Sequence, residues 1–84
     1  MQQNTITLKL FAVYQETVGL SEKEIVVPSR TTVGSVLDSL IEEYPTLAKW
    51  KSLTRFGVNL QFADTDTELQ DGDELVFIPP VSGG

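Results

Sequence analysis

One segment of this chain has the period of a long helix, and most of what flanks it reads as short strands. Val33, Val36, Leu37, Leu40, Ile41 and Tyr44 recur at i, i+3, i+4, i+7, i+8 and i+11, the apolar stripe of an amphipathic helix. Pro45 ends the helix at Tyr44, because a proline ring disfavours helical geometry in the residue before it. Thr31 or Thr32 stands just ahead, with a hydroxyl able to cap the first unpaired N–H groups. Asp38, Ser39, Glu42 and Glu43 occupy the opposite face. The stripe is therefore expected to lie on a sheet, with the acids in water.

The flanks supply that sheet. Ile6, Leu8 and Leu10 alternate with Thr7 and Lys9, which predicts a first strand over residues 5–12 with one buried face. From Val13 to Val18 the alternation stops, and Gly19 closes a single helical turn. Glu22 to Val27 then resume a strand pattern before Pro28, giving a hairpin-like pair. Leu47, Trp50 and Leu53, spaced by three, predict a second short helix. Phe56, Val58, Leu60 and Phe62 predict two short strands, or one bent strand, around Asn59. Asp71-Gly72-Asp73 is a turn signal. The continuous apolar run Leu75 to Ile78 that follows suits a central strand covered on both faces. This order gives an α+β fold, a mixed sheet with the main helix packed across one face. At 84 residues the chain makes one domain, with its body at 1–78 and an extended tail at 79–84. Cysteine is absent, so the core alone must offset a chain entropy of roughly 1.5 kcal/mol per ordered residue.

Six basic residues face twelve acids, a formal net charge of −6. That balance argues against nucleic acid, whose binding draws on Lys and Arg neutralising phosphates, and suits a basic protein partner better. No run approaches the roughly 18 apolar residues of a membrane span, and no basic segment leads into an apolar one as in a secretory signal. The expected location is cytoplasmic, with no membrane partner. Asp64, Asp66 and Glu68 invite a calcium reading, which fails on spacing. A loop starting at Asp64 needs Gly sixth and Glu twelfth, where this chain has Leu69 and Leu75. No metal site is expected. Glu16 has no second titratable group near it in sequence and reads as a surface acid, while Phe11 and Trp50, taken residue by residue, read as packing at the core or its edge.

With Cys and His both absent, the chemistry narrows to the end of the chain, Pro79-Pro80-Val81-Ser82-Gly83-Gly84. Two prolines hold the segment extended, and two residues without a Cβ can pass through a channel too narrow for any side chain. A terminal carboxylate, with a pKa of about 3.3–3.7, is an anion at neutral pH and a poor electrophile. Adenylation on a partner enzyme that uses ATP would make it a mixed anhydride. A sulfur nucleophile could then leave a terminal thiocarboxylate, and an amine an amide. Without cysteine, the chain can carry sulfur only in that terminal form.

Three segments resemble one known family: Leu10-Phe11-Ala12 leading to Glu16 and Gly19; Val58-Asn59; and Leu69 through Asp71-Gly72-Asp73-Glu74 into Pro79-Pro80-Val81-Ser82-Gly83-Gly84. Together they look like the small subunit of molybdopterin synthase, the MoaD family of ubiquitin-like β-grasp sulfur carriers, over almost the whole chain. A diglycine end alone is shared with thiamin sulfur carriers and protein modifiers, whereas the acidic turn, the apolar strand and the Pro-Pro-Val-Ser-Gly-Gly end are specific as a set. Gln15 departs from the pattern, since the family often has Arg beside the Glu that Glu16 matches. The resemblance implies a β-grasp fold with a flexible C-terminal tail and no bound cofactor. It implies a non-catalytic, sulfur-donating subunit whose Gly84 is adenylated and becomes 1-thioglycine. An MoeB-type adenylyltransferase would activate Gly84, and a sulfurtransferase or cysteine desulfurase would be the sulfur source. The tail, Pro79 to Gly83 with Gly84, would then insert into an MoaE-type large subunit, where sulfur reaches cyclic pyranopterin monophosphate. By position in the family pattern, Phe11, Phe62 and Ile78 would form the apolar surface that docks on both partners. The alternative is a carrier for another sulfur pathway, or a modifier conjugated through Gly84.

Overall fold

The computed structural model describes residues 2–80. Five strands, β1 (Gln3–Leu10), β2 (Glu22–Pro28), β3 (Arg55–Val58), β4 (Gln61–Ala63) and β5 (Glu74–Ile78), form one mixed sheet in the order β2-β1-β5-β3-β4. A short helix α1 (Val13–Val18) links β1 to β2, and the main helix α2 (Val33–Glu43) is followed by a 3₁₀ segment, Pro45–Leu53. β1 pairs antiparallel with β2 and parallel with β5, while β3 pairs antiparallel with β5 and β4. This is the β-grasp arrangement that the sequence implies.

β1 stops at Leu10, two residues before its expected end. Ala12 adopts φ 50°, ψ −122°, a conformation that no strand continues, and the chain turns there into α1. Gly19 closes α1 at φ 89° in the left-handed region, with its N–H on Gln15 O at 2.8 Å. For α2, Thr32 is the cap: its Oγ1 accepts from Ser35 N at 3.2 Å. Gly34 in the first turn donates to Thr65 O at 2.9 Å, and a Cβ there would lie 3.1 Å from both Thr65 Cβ and Thr65 O. Glycine thus lets the chain around Thr65 run directly against the helix start.

The core lies between α2 and one face of the sheet. Ile6, Leu8 and Leu10 from β1 meet Val33, Val36, Leu37 and Leu40 from α2, with Phe56, Leu75 and Phe77 beside them. Phe77 packs against Tyr14 and Phe56, at ring-centroid separations of 5.5 and 5.7 Å. Leu69, isolated between acids in the sequence, is fully buried here. Its N–H donates to Thr31 O and its carbonyl accepts from Asn4 Nδ2. Buried Tyr14 hydrogen-bonds through its hydroxyl to Thr54 Oγ1, and Thr54 Oγ1 donates to Trp50 O at 2.8 Å, so Tyr14 is the donor of its pair. Burial raises the Tyr14 pKa above 10.0, against a smaller opposing effect of the Thr54 hydrogen bond. Trp50 is half-buried against the core, as expected.

One expectation needs correction. β5 is central in the sheet, yet it is not covered on both faces: Leu75 and Phe77 are buried, while Val76 and Ile78 are only half-buried on the face away from α2. The continuous apolar run reflects one packed face and one displayed face.

Candidate functional site: an apolar face beside the terminal stem

The register assembles the displayed face. Lys9 pairs with Val76, Val76 with Gly57 and Gly57 with Phe62, so these positions share the side of the sheet opposite α2. Ile78 sits one step further along, level with Arg55. Because Gly57 contributes no side chain, the sheet dips there. The depression, of ≈ 350 Å³, is walled by Phe11, Leu60, Phe62, Val76 and Ile78. Phe11 is 50% exposed, Phe62 79% and Leu60 92%. Apolar side chains grouped in water in this way are a feature that contact surfaces in general display. The structure therefore brings Phe11, Phe62 and Ile78 together, and Phe11 belongs to this face and not to the core.

Backbone strain borders the same depression. Among the described residues, the non-glycine positions at positive φ are Ala12, Arg30, Asn59 and Leu60, and all but Arg30 adjoin it. Ala12 turns the chain just after Phe11. Asn59 and Leu60, at φ 52° and 70°, form the two-residue link between β3 and β4, the type I′ geometry that matches strand twist. Asparagine tolerates that conformation, whereas leucine is disfavoured in it.

The acidic turn fixes this hairpin to β5. Asn59 Nδ2 donates to Asp73 Oδ1 at 2.8 Å, and Glu74 N donates to Asn59 Oδ1 at 3.0 Å. Asp73 Oδ2 also accepts from Gln70 N at 2.7 Å, and Asp71 Oδ1 accepts from Thr5 N at 2.7 Å. Gly72, at φ 87°, permits the turn between them. Val58-Asn59 and Asp71-Gly72-Asp73-Glu74 thus meet in one network, which holds Leu60 and Phe62 beside Val76. These carboxylates are structural acceptors. Glu16 is exposed on α1, and among the described residues no cluster of three or more His, Cys, Asp or Glu side chains could hold a metal ion. No described helix is long and apolar enough to cross a membrane.

The charged boundary of the face is Lys9, 3.4 Å from Glu74 and 3.8 Å from Glu22, with exposed Arg55 at the end where β5 leaves the sheet. There Leu10 is level with Phe77 and Arg55 with Ile78, and the chain continues into half-buried Pro79 and exposed Pro80. Both prolines therefore depart from the rim of the apolar face. The expectations placed on Val81, Ser82, Gly83 and Gly84 fall outside the described residues. Sequence reasoning missed Leu60 and Val76 as members of the face. Val76 carried no signal inside a continuous apolar run, and Leu60 carried none until the two-residue link was known.

The ThiS family model matches residues 8–84. The molybdopterin synthase sulfur carrier subunit of Arabidopsis thaliana is 33% identical over 79 residues, covering 94% of this chain and 82% of the relative. Among solved structures, the modifier protein SAMP1 of Haloferax volcanii superposes with a TM-score of 0.82 at 30% identity, covering 96% of this chain and all of that one. A complex of subunits 1 and 2 of the molybdopterin-converting factor from Helicobacter pylori gives a TM-score of 0.59 at 22% identity over 95% of this chain and 99% of the matched one, which supports the fold alone. On its sequence and its β-grasp architecture, the chain belongs to the ThiS family, alongside the MoaD-type ubiquitin-like sulfur carriers.

Proposed function

We propose that this chain is the sulfur-carrier subunit of a cytoplasmic molybdopterin synthase and that the Gly84 carboxylate carries the sulfur. The observation that supports this best is the path of β5. The central strand ends at the rim of a displayed apolar face and continues directly into the proline stem of the terminus. One docking event at Phe11, Leu60, Phe62 and Ile78 would then place the tail at a fixed offset inside a partner's active site. In the proposed cycle an MoeB-type adenylyltransferase joins the carboxylate to AMP with release of pyrophosphate. The terminal persulfide sulfur of a sulfurtransferase or cysteine desulfurase displaces AMP to give an acyl disulfide. A thiol then cleaves its S–S bond by two-electron reduction, which leaves the thiocarboxylate and a disulfide on the thiol side. The same face then docks on an MoaE-type large subunit, whose pocket receives the tail and passes sulfur to cyclic pyranopterin monophosphate. The likeness to relatives named molybdopterin synthase sulfur carrier subunits supports a partner of that type. This chain supplies no catalytic side chain in the cycle; Gly83 provides clearance and Gly84 is the cargo site.

The test is intact-mass measurement after incubation with the adenylyltransferase, ATP and a sulfur donor. Replacement of one oxygen by sulfur, mapped to Gly84 by fragmentation, is expected; an unchanged mass under conditions that load a known carrier would sink the proposal. A second reading, conjugation of Gly84 to substrate lysines as a protein modifier, draws on the likeness to SAMP1. It requires stable adducts on other proteins that persist when the large subunit is absent.

A further inference from the structure

Among the described residues, β2 forms one edge of the sheet and pairs with β1 alone. Its register decides which of its backbone groups are already used. Leu10 N donates to Ser21 O at 2.9 Å and Ser29 N donates to Gln2 O at 3.2 Å, so the hydrogen-bonded pairs of this antiparallel ladder fall at the odd-numbered residues of β2. The N–H and C=O groups of Glu22, Glu24 and Val26 therefore point to the open edge. Pro28, with no N–H, ends the row and blunts only that end.

Beside this edge, α2 stands away from β2 and leaves a groove of ≈ 370 Å³. Leu8, Leu10, Ile25, Val27, Val36 and Leu40 form the apolar part of its lining, which Lys23 and Glu43 also border. On the other side of the sheet Val26 is 61% exposed, on the same face as Glu22 and Glu24. An incoming strand would alternate its side chains between the groove and that acidic row. The groove favours aliphatic residues. The row favours basic ones: Glu22 shares Lys9, and among the described residues Glu24 has no ion-pair partner. A second copy of the chain is a poor occupant, since it would bring another row of Glu22 and Glu24, and a net charge of −6, against the first.

We propose that the free edge of β2 and the groove beside it form a strand-addition site for an extended segment of a partner protein, with aliphatic residues at alternate positions and basic residues between them. Main-chain hydrogen bonds would give affinity and the two rows of side chains selectivity. The site uses the opposite side of the sheet order from β4, and it is independent of chemistry at Gly84.

The experiment titrates an alternating valine–lysine peptide, capped at both ends, into the full chain, with the valine–glutamate peptide as comparison. Amide shifts and hydrogen exchange are followed by NMR. The lysine peptide is expected to slow exchange at Glu22, Glu24 and Val26 and to shift the groove residues, binding about tenfold more tightly than the glutamate peptide through two exposed ion pairs. Val26→Pro removes an N–H that β1 does not use, so the fold is expected to persist while binding weakens about tenfold. Glu24→Lys should shift the preference towards the glutamate peptide. The proposal is overturned by protection centred on Phe62 and Val76 instead, by equal binding of the two peptides, by full binding to folded Val26→Pro, or by edge protection that rises with protein concentration alone.

Discussion

Leu60 holds φ 70° with its side chain almost wholly in water, so both its backbone and its side chain are unfavourable in the isolated domain. On the proposed function, contact of Leu60 with a partner gives that arrangement a reason. Leu60→Gly should raise unfolding free energy by up to about 1 kcal/mol, since it removes the left-handed penalty and gives the asparagine–glycine sequence that such links favour. The same change should weaken binding to the large subunit. Chemical denaturation and calorimetric titration on one pair of samples check both signs. Phe62→Ala should leave stability within about 0.5 kcal/mol, because Phe62 is exposed, while weakening binding by on the order of 2 kcal/mol if it is an anchor. Equal losses in both measurements would place Phe62 in the domain's own packing. Tyr14 is the converse case, a fully buried residue of the core. Its folded pKa lies above its unfolded value near 10.0, so the folded state retains the proton that the unfolded state loses. Its contribution to stability is therefore complete below about pH 10 and lost as pH rises through the folded pKa. Tyr14→Phe should cost about 1 kcal/mol at neutral pH and flatten the alkaline fall in melting temperature.

Among the elements, the hairpin β3–β4 is tied to the turn before β5 by polar side chains. Asp73→Ala removes acceptors for both Asn59 Nδ2 and Gln70 N, and is expected to cost about 1–2 kcal/mol. Amide exchange should accelerate first at residues 59–63, while α2 stays protected. Most elements were legible in the sequence because each has a local cause: the stripe and Thr32 cap of α2, Gly19 after α1, the alternation of β1, the turn at Gly72. Two features were not. The end of β1 is set by the backbone of Ala12, a residue whose type gives no warning of a positive φ. The uncovered side of β5 was hidden because Val76 and Ile78 are as apolar as Leu75 and Phe77, and hydrophobicity does not distinguish a face packed in the domain from one offered to a partner. The resemblance located Phe11, Phe62 and Ile78, and the strand register explains why residues so far apart in sequence form one face.

At the scale of the whole molecule, the sheet separates two tasks. The side facing α2 stabilises the fold, and the other side presents an exposed apolar face at the point where the chain leaves β5, which on the proposed function is the contact surface. The terminus should therefore be separable from the domain: deleting Gly84 is expected to leave the melting temperature unchanged and to abolish sulfur loading. Gly83→Leu should likewise leave the fold intact while obstructing entry of the tail into both partners. The most direct measurement of the central claim follows the sulfur itself. Carrier loaded with isotopically labelled sulfur would be mixed with the large subunit and cyclic pyranopterin monophosphate, and both carrier and product analysed by mass spectrometry. The expected result is return of Gly84 to its carboxylate mass as labelled sulfur appears in the dithiolene. Labelled sulfur retained on the carrier while an active large subunit turns over a known carrier, or label found on any residue other than Gly84, would contradict it.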